Sequence, residues 1–174
     1  MVHSIVDRWH DLSRGMRWFL LTILLIVGLM AFLVFGMVSD KREVRDIRCL
    51  SLNIYHEARG ESEEGQLAVA TVTMNRVASG RFPNTICDVV RQYAWNPKLQ
   101  RHISHFSWTG DKIDDAPTDV EAWQKAVTIS RNVLSGTRHP DLTKALFYHA
   151  DNILPTWGKK KKSIAHIGAH IFYP

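Results

Sequence analysis

The hydrophobic pattern divides the chain into one uninterrupted apolar run near the N-terminus and a longer part in which apolar residues recur at helical spacing. From Trp18 to Val38 there are 21 residues without a charge. A helix of that length can cross a hydrocarbon core of ~30 Å. The run ends without the small-residue pattern of a cleavage site, so it predicts an uncleaved transmembrane signal anchor at 18–38. Residues 1–17 are then an N-terminal tail, and residues 39–45 a short charged linker.

The remaining residues, 46–174, are enough for one domain and show four stretches of helical pattern. Gly60 is expected to end the first helix, and Ser62 is a suitable N-cap for the second. The predicted helices cover residues 46–59, 62–79, 85–91 and 118–136. The core-facing positions predicted for the last helix are Val120, Trp123, Val127, Ser130 and Leu134.

The C-terminal part changes from helical spacing to strand-like runs. Residues 145–149 and 164–173 predict two strands, joined by a connection that contains Pro155 and Gly158. Residues 93–115 are aromatic and polar without a clear period, and they predict a long irregular loop of the kind that is usually functional. The expected fold class is α+β, mostly helical, with a small C-terminal β-hairpin.

Glu57 is the leading candidate for chemistry because it shares a helix face with apolar residues. At ~100° per residue, Ile47, Leu50 and Ile54 lie on the same face as Glu57. That face points into the protein and takes the carboxyl with it. Removal from water disfavours the ionised form and raises a carboxyl pKa, as a general acid near neutral pH requires. The alternative is a structural glutamate paired with Arg59.

Composition and charge narrow the range of partners. The formal net charge of +5 suits an anionic partner such as a cell wall or a membrane surface. No basic stripe is interleaved with aromatic residues, so nucleic acid is not expected to bind. The basic run 159–162 is most simply a solvated hairpin tip.

Four residues could suggest a metal-dependent enzyme: His149, Asp151, His166 and His170. His166 and His170 have the spacing of one helix face, but the residues around them are typical of a strand. On a strand their side chains would be ~13 Å apart at ~3.3 Å per residue, too far to hold one ion. The sequence therefore predicts no metal site, and no cofactor is expected.

Seven sequence blocks between Arg48 and Tyr173 form a recognisable set. They are Leu52-Asn-Ile-Tyr-His-Glu57-Ala-Arg-Gly-Glu61, Gly65-Gln-x-Ala-Val-Ala70, Asn75-Arg-Val77, Phe82-Pro-Asn-Thr-Ile-Cys87-Asp-Val-Val90, Phe106-Ser-Trp-Thr-Gly110-Asp111, Phe147-Tyr-His149 and Ile167-Gly-x-His170-x-Phe-Tyr173. In order and spacing they resemble the SleB/CwlJ-type cell wall hydrolases, a family that includes the spore-cortex-lytic enzymes and phage relatives.

The resemblance implies a lysozyme-like fold related to the lytic transglycosylases. It also implies a single catalytic glutamate at the first Glu of the Glu-Ala-Arg-Gly-Glu block, which is Glu57. Glu61 follows the glycine break and is better explained as a capping or solvated carboxylate. The family usually has Gln before Phe-Ser-Trp, whereas this chain has His105, so hydrogen bonding to the sugar at that position is expected to differ.

Four residues in these blocks are predicted to bind substrate: Tyr55, Ser107, Tyr148 and His149. Ser107 lies in the aromatic loop, where it could contact an acetamido sugar or only close a turn. Side chains alternate along a strand, so at most one of Tyr148 and His149 is expected to face the substrate.

The number of carboxyl groups favours one mechanism over another. Ordinary glycoside hydrolysis uses two carboxylates, whereas Asp111, Asp114 and Asp115 lie in a polar, exposed-looking stretch. One glutamate suffices if the muramoyl 6-hydroxyl is the nucleophile. The prediction is therefore lytic transglycosylation of the bond between N-acetylmuramic acid and N-acetylglucosamine, which gives 1,6-anhydromuropeptides. The alternatives are a hydrolytic muramidase, an N-acetylmuramoyl-L-alanine amidase or a membrane-anchored wall-binding module.

Such a substrate places the domain on the periplasmic or extracytoplasmic side of the membrane. The charges that flank the anchor decide little, since three arginines precede it and four basic residues follow it closely. Outside the membrane Cys49 and Cys87 could form a disulfide. The expected partners are peptidoglycan glycan strands and the membrane, and the oligomeric state is open.

Overall fold

The longest element is α1, a helix of 45 residues spanning Arg14–Ala58. In the computed structural model the described residues are 13–97, 99–110, 115–153 and 155–174. The chain divides into two compact units, residues 1–43 and 44–174. Helix α1 includes residues 39–45, so the separate linker predicted there is corrected to helix. The reason is local, because no glycine or proline occurs between Gly36 and Gly60 to interrupt the helix.

The apolar part of α1 belongs to the first unit. Within the described residues, α1 is the single helix long and apolar enough to cross a membrane, with a mean hydropathy of 2.8 over its best 18-residue window. None of that window is buried against protein. Length and composition fit a membrane span, and an N-terminal signal sequence would meet the same criteria.

The second unit contains three further helices: α2 (Glu63–Ala78), α3 (Ile86–Val90) and α4 (Val120–Leu134). Each begins with a side-chain cap. The Ser62 hydroxyl accepts a hydrogen bond from the Gly65 amide, as the sequence predicts, and Thr85 and Asp119 cap α3 and α4 in the same way.

The core between these helices contains the predicted face of α1 and most of the face predicted for α4. Leu50 and Ile54 are fully buried. In α4 the buried positions are Ala126, Ile129, Ser130 and Val133, whereas Val120 is 67% exposed. Of the predicted positions, Ser130 is buried, and Trp123, Val127 and Leu134 are partly buried. The prediction is wrong for Val120, which lies in the first, exposed turn of the helix.

Residues 93–115 contain structure that the sequence pattern does not predict. Strands β1 (Tyr93–Asn96) and β2 (Arg101–Ser104) pair as an antiparallel hairpin, followed by a short 3₁₀ helix at Ser107–Gly110. The predicted irregular loop is thus corrected for this part. Four-residue strands are too short to show a clear alternation in the sequence.

The C-terminal strands form a sheet of three strands rather than the predicted hairpin of two. Strands β3 (Phe147–Ala150), β4 (Ala165–Ile167) and β5 (His170–Tyr173) are antiparallel in the order β3-β5-β4. The chain reverses at Gly168, which has a φ of 56°. Glycine adopts this conformation readily. The chain therefore turns at Gly168, and the predicted strand 164–173 forms the two paired strands β4 and β5.

A disulfide joins α1 to α3 through Cys49 and Cys87, whose Cα atoms are 5.2 Å apart. It closes a loop over a sequence separation of 38 residues. The bridge fixes the helix that carries Glu57 to the segment after Pro83.

Candidate active site

Glu57 lies in the last turn of α1, directly before the helix ends at Ala58. The Glu61 amide donates to the Ala58 carbonyl and turns the chain away from the helix axis. Leu50 and Ile54 on the same face are fully buried, and Glu57 is half-buried. The helix thus presents a carboxyl at the edge of the core.

Tyr148 is the direct partner of this carboxyl. Its hydroxyl donates a hydrogen bond to Glu57 Oε2 over 3.1 Å. The residue lies in β3 and pairs in register with Phe172 of β5. The sheet therefore positions a hydrogen-bond donor against the end of α1.

Arg76 of α2 lies close enough to Glu57 and Tyr148 to interact with both electrostatically. No role is predicted for it from the sequence. Its Nε donates to the Leu146 carbonyl over 2.8 Å, while Nη1 is buried without a hydrogen-bond partner. Arg76 as a whole residue is only 7% exposed. The sequence does contain an indication of a special role for Arg76, because this residue shares the buried face of α2 with Val69 and Val72. A cation at helical spacing from two core valines is uncommon unless it has a local role.

The environment makes Glu57 a group that can hold a proton. Burial raises the pKa of Glu57, although the hydrogen bond from Tyr148 and the charge of Arg76 act in the opposite direction. Burial and the nearby Glu57 carboxylate raise the pKa of Tyr148 well above its ordinary value. Tyr148 therefore stays a neutral donor, and Glu57 is suited to general acid chemistry.

A cavity of about 440 Å³ begins beside Tyr148. Glu57 is not part of its wall and reaches it through the Tyr148 hydroxyl. His105 also lines the cavity, and burial together with the charge of Arg76 lowers the pKa of its imidazole. The position at which the sequence departs from the family pattern is thus part of the cavity wall.

His149 also lines the cavity, on the opposite face of β3 from Tyr148. Which of the two contacts substrate stays a prediction. The Nε2 atom of His149 lies 2.9 Å from the Tyr173 hydroxyl, and the His149 ring is 5.6 Å from that of Trp157. Trp157 belongs to a segment that contacts the second face of β3 and also lines the cavity. Both faces of the strand can therefore contribute to one cavity.

Tyr55, another predicted substrate residue, is not among the residues that line this cavity. Tyr55 is 1% exposed, and its hydroxyl accepts hydrogen bonds from the amides of Thr118 and Asp119. The predicted substrate contact of Tyr55 is corrected, because the residue is a core side chain that supports the start of α4. The backbone of Ser107 is in the 3₁₀ helix, and its side chain lies outside the described part of the structure.

Glu61 is engaged with the turn between β4 and β5. Its Oε2 accepts a hydrogen bond from the Ala169 amide over 3.1 Å, and its Oε1 is 4.0 Å from His170 Nδ1. A Cβ on Gly168 would collide with the Glu61 carboxylate. Glu61 thus joins the end of α1 to the sheet that carries Tyr148, a contact more specific than the solvated carboxylate predicted.

The histidines considered as metal ligands have other contacts. His166 Nε2 is 3.3 Å from Asp151 Oδ2, and His149 and His170 contact Tyr173 and Glu61 as described above. Within the described ranges, no three His, Cys, Asp or Glu side chains are arranged to hold a metal ion. The predicted acids Asp111 and Asp114 lie outside the described residues.

Comparisons with known proteins identify the family of the chain. Residues 60–173 match a family described as cell wall hydrolase. The chain is 34% identical over 129 residues to the spore cortex-lytic enzyme of Bacillus cereus, a match that covers 73% of this chain and 43% of that protein. It is 29% identical over 131 residues to the enzyme of the same name from Oceanobacillus iheyensis, covering 73% and 41%. The chain spans less than half the length of these curated relatives.

Solved structures show the same fold. The catalytic domain of the germination-specific lytic transglycosylase SleB from Bacillus anthracis superposes with a TM-score of 0.56 at 31% identity, covering 74% of this chain and 93% of that domain. The catalytic domain of the Bacillus cereus SleB protein gives a TM-score of 0.51 at 28% identity, covering 74% and 89%. The predicted fold class, mostly helical with small sheets, is confirmed. The family match begins at residue 60, so the role of Glu57 rests on the site geometry.

Proposed function

Because the chain belongs to the cell wall hydrolase family, we propose that it degrades peptidoglycan by cleaving the bond between N-acetylmuramic acid and N-acetylglucosamine. One observation carries the proposal. A half-buried carboxyl, Glu57, has its pKa raised by burial and accepts a hydrogen bond from Tyr148, which opens onto a cavity of about 440 Å³. Solved SleB-type catalytic domains share this fold, and one of them belongs to a germination-specific lytic transglycosylase.

In the proposed reaction Glu57 works first as an acid and then as a base. Its carboxylic acid proton passes to the glycosidic oxygen as the bond to C1 of the muramoyl residue breaks. The resulting carboxylate accepts the proton of the muramoyl 6-hydroxyl as that oxygen bonds to C1. The products are a 1,6-anhydromuramoyl end and a free N-acetylglucosamine 4-hydroxyl, and Glu57 is protonated again.

Tyr148 supports the first step by its position. Its hydroxyl occupies Oε2 of Glu57, so the transferable proton is assigned to Oε1. A fixed carboxyl loses less orientational freedom when the glycan binds. Tyr148 is therefore a positioning residue in this scheme.

The number of described acids near the cavity favours transglycosylation over hydrolysis. A hydrolytic muramidase needs a second carboxylate to activate water or to form a covalent intermediate. Among the described residues, Glu57 reaches the cavity through Tyr148, and no Asp or Glu lines the cavity itself to act as a second acid. The sugar's own hydroxyl then replaces water as nucleophile.

Product analysis tests this proposal. Purified peptidoglycan digested with the full chain should give 1,6-anhydromuropeptides in mass spectrometry. Reducing muropeptides would identify a hydrolytic muramidase, and free stem peptides an amidase. Binding without any product would indicate a wall-binding module.

We also propose that residues 18–38 anchor the protein in a membrane, with residues 44–174 on the extracytoplasmic side. The apolar window of α1 has no protein packed against it, which suits a lipid environment. The disulfide between Cys49 and Cys87 suits an oxidising compartment. Peptidoglycan also lies on that side of the membrane.

A further inference from the structure

Three cationic side chains meet around the rings of Phe82 and Phe147, and two members of this cluster, Arg76 and Phe147, line the cavity. The guanidinium carbon of Arg76 is 5.2 Å from the ring centroid of Phe82. Arg81 and Lys161 approach the Phe147 ring, with the Arg81 guanidinium carbon 5.9 Å and the Lys161 ammonium 3.9 Å from its centroid. The two rings are 6.1 Å apart, so the cations share one small region.

Few acids lie near these charges. Within the part of the chain that the structure describes, none of the three cations forms an ion pair, although the Glu57 carboxyl interacts electrostatically with Arg76. The side-chain hydrogen bonds go to main-chain oxygens, from Arg76 to Leu146 and from Lys161 to Pro174. Cation–ring contacts offset part of the cost but add no negative charge.

Arg76 makes the case for a ligand. It lines the cavity, is more than nine-tenths buried, and keeps Nη1 without a hydrogen-bond partner. A buried guanidinium nitrogen that is left unsatisfied costs free energy. An anionic group bound in the cavity would satisfy that nitrogen and balance the two exposed cations beside it.

The cavity connects this cationic end to the proposed acid. Tyr148 lines the cavity on one side and contacts Glu57 on the other, while Phe147 precedes it in the same strand. A muramoyl residue cleaved at Glu57 carries a peptide on its lactyl group, and that peptide carries carboxylates. We propose that Arg76, Arg81 and Lys161 bind a carboxylate of this stem peptide, an inference that rests on the proposed function.

A binding experiment with a matched control tests the inference. The full chain carrying Glu57→Gln is titrated calorimetrically with soluble glycan chains that bear stem peptides, and with the same chains after the peptides are removed. Lys161→Gln and Arg81→Gln should each weaken binding of the peptide-bearing chains about two- to fivefold, the range of an exposed ion pair. Lys162→Gln should not, because Lys162 belongs to the same basic run but has no ring contact.

Salt and competitors give two more outcomes. The difference between Lys161→Gln and the parent should vanish near 1 M salt, where the Debye length is about 3 Å. Equal affinity for peptide-bearing and peptide-free glycan, or an equal loss with Lys162→Gln, would overturn the inference. A glycerol phosphate polymer that binds more tightly to the same cations would also overturn it, in favour of a phosphate ligand.

Activity measurements separate failure of this inference from failure of the proposed function. If the wild-type chain cleaves neither glycan, the proposed function is wrong. If it cleaves both with the same kcat/KM and Lys161→Gln changes neither value, the function stands and the peptide site is wrong. Preferential cleavage of the peptide-bearing glycan, reduced by Lys161→Gln, supports both.

Discussion

At the scale of single residues, the proposed acid step depends on how far the Glu57 carboxyl is removed from water. Burial raises its pKa, while Tyr148 and Arg76 limit that increase. A raised pKa favours the protonated carboxyl that the proposed acid step requires. The balance between these influences can be changed by single substitutions.

Replacing Glu57 by Gln should remove activity and keep the fold. The amide has the same shape but cannot transfer a proton, so kcat/KM on peptidoglycan should fall by about 10²- to 10⁴-fold, the usual contribution of a general acid. The rate of release of soluble muropeptides measures this, with circular dichroism as the folding control.

Glu61→Gln is the matched comparison for Glu57→Gln. Its amide oxygen can still accept the hydrogen bond from Ala169, so the loss of activity should be much smaller. An equal loss in the two variants would mean that the acids have been assigned in the wrong order.

The second prediction concerns pH. The Tyr148 hydrogen bond lowers the pKa of Glu57, so Tyr148→Phe should raise that pKa further. Since the acid form is needed in the first step, the alkaline limb of the kcat/KM profile should move to higher pH. Tyr173→Phe is the control, because the Tyr173 hydroxyl contacts His149 instead. No shift with Tyr148→Phe, or the same shift with Tyr173→Phe, would contradict the role given to Tyr148.

At the scale of elements, the helix carrying Glu57 is tied to the rest of the domain by a covalent bond and by packing. Cys49 and Cys87 link α1 to α3 across 38 residues. On the chain-entropy model, closing such a loop stabilises the folded state by about 3–4 kcal/mol.

Urea unfolding measures this contribution. The double variant Cys49→Ser, Cys87→Ser should lose about 3–4 kcal/mol relative to the oxidised wild type. Reductant should destabilise the wild type by a similar amount and leave the double variant unchanged. Full stability of the wild type after complete reduction would rule out a stabilising bridge.

The elements also show what the sequence could and could not predict. The period of apolar residues predicted the part of α1 that carries Glu57. Ser62 predicted the N-cap of α2, and the segment after Pro83 predicted α3. These features depend on neighbours along the chain. The turn at Gly168 was missed, since a single glycine within an apolar strand pattern does not indicate whether the strand bends. Glu61, which is distant in sequence, lies where a Cβ on residue 168 would be and leaves room only for glycine.

The same distinction applies to the site. The partly buried position of Glu57 could be predicted, because Leu50 and Ile54 share its helix face and are buried. The buried position of Tyr55 could not, because residues two apart in a helix point in different directions and the contacts of Tyr55 are with the distant residues Thr118 and Asp119. The unpaired nitrogen of Arg76 depends on Leu146, Phe82 and Phe106, which approach it from three segments, and no local pattern encodes that meeting.

At the scale of the whole molecule, residues 18–38 present apolar side chains that have no protein partner in the described structure. Their removal from water must come from lipid, a detergent or another chain. Leu, Ile, Val, Phe and Met dominate the run, and only Thr22, Gly28, Ala31 and Gly36 weaken it. Such a composition favours a stable anchor over one that is released when the membrane potential falls.

The last prediction follows from this composition. The full chain should remain in the membrane fraction after the proton gradient is dissipated, with its muropeptide-releasing activity in the same fraction. The variant Leu25→Arg, Leu29→Arg should be released, because an arginine near the centre of a spanning helix costs about 2.5–3.5 kcal/mol on insertion scales. Leu25→Ala, Leu29→Ala is the control and should stay bound. If the wild type becomes soluble and active without proteolysis once the gradient is lost, the anchor is releasable and enzyme leaves the membrane to reach the wall.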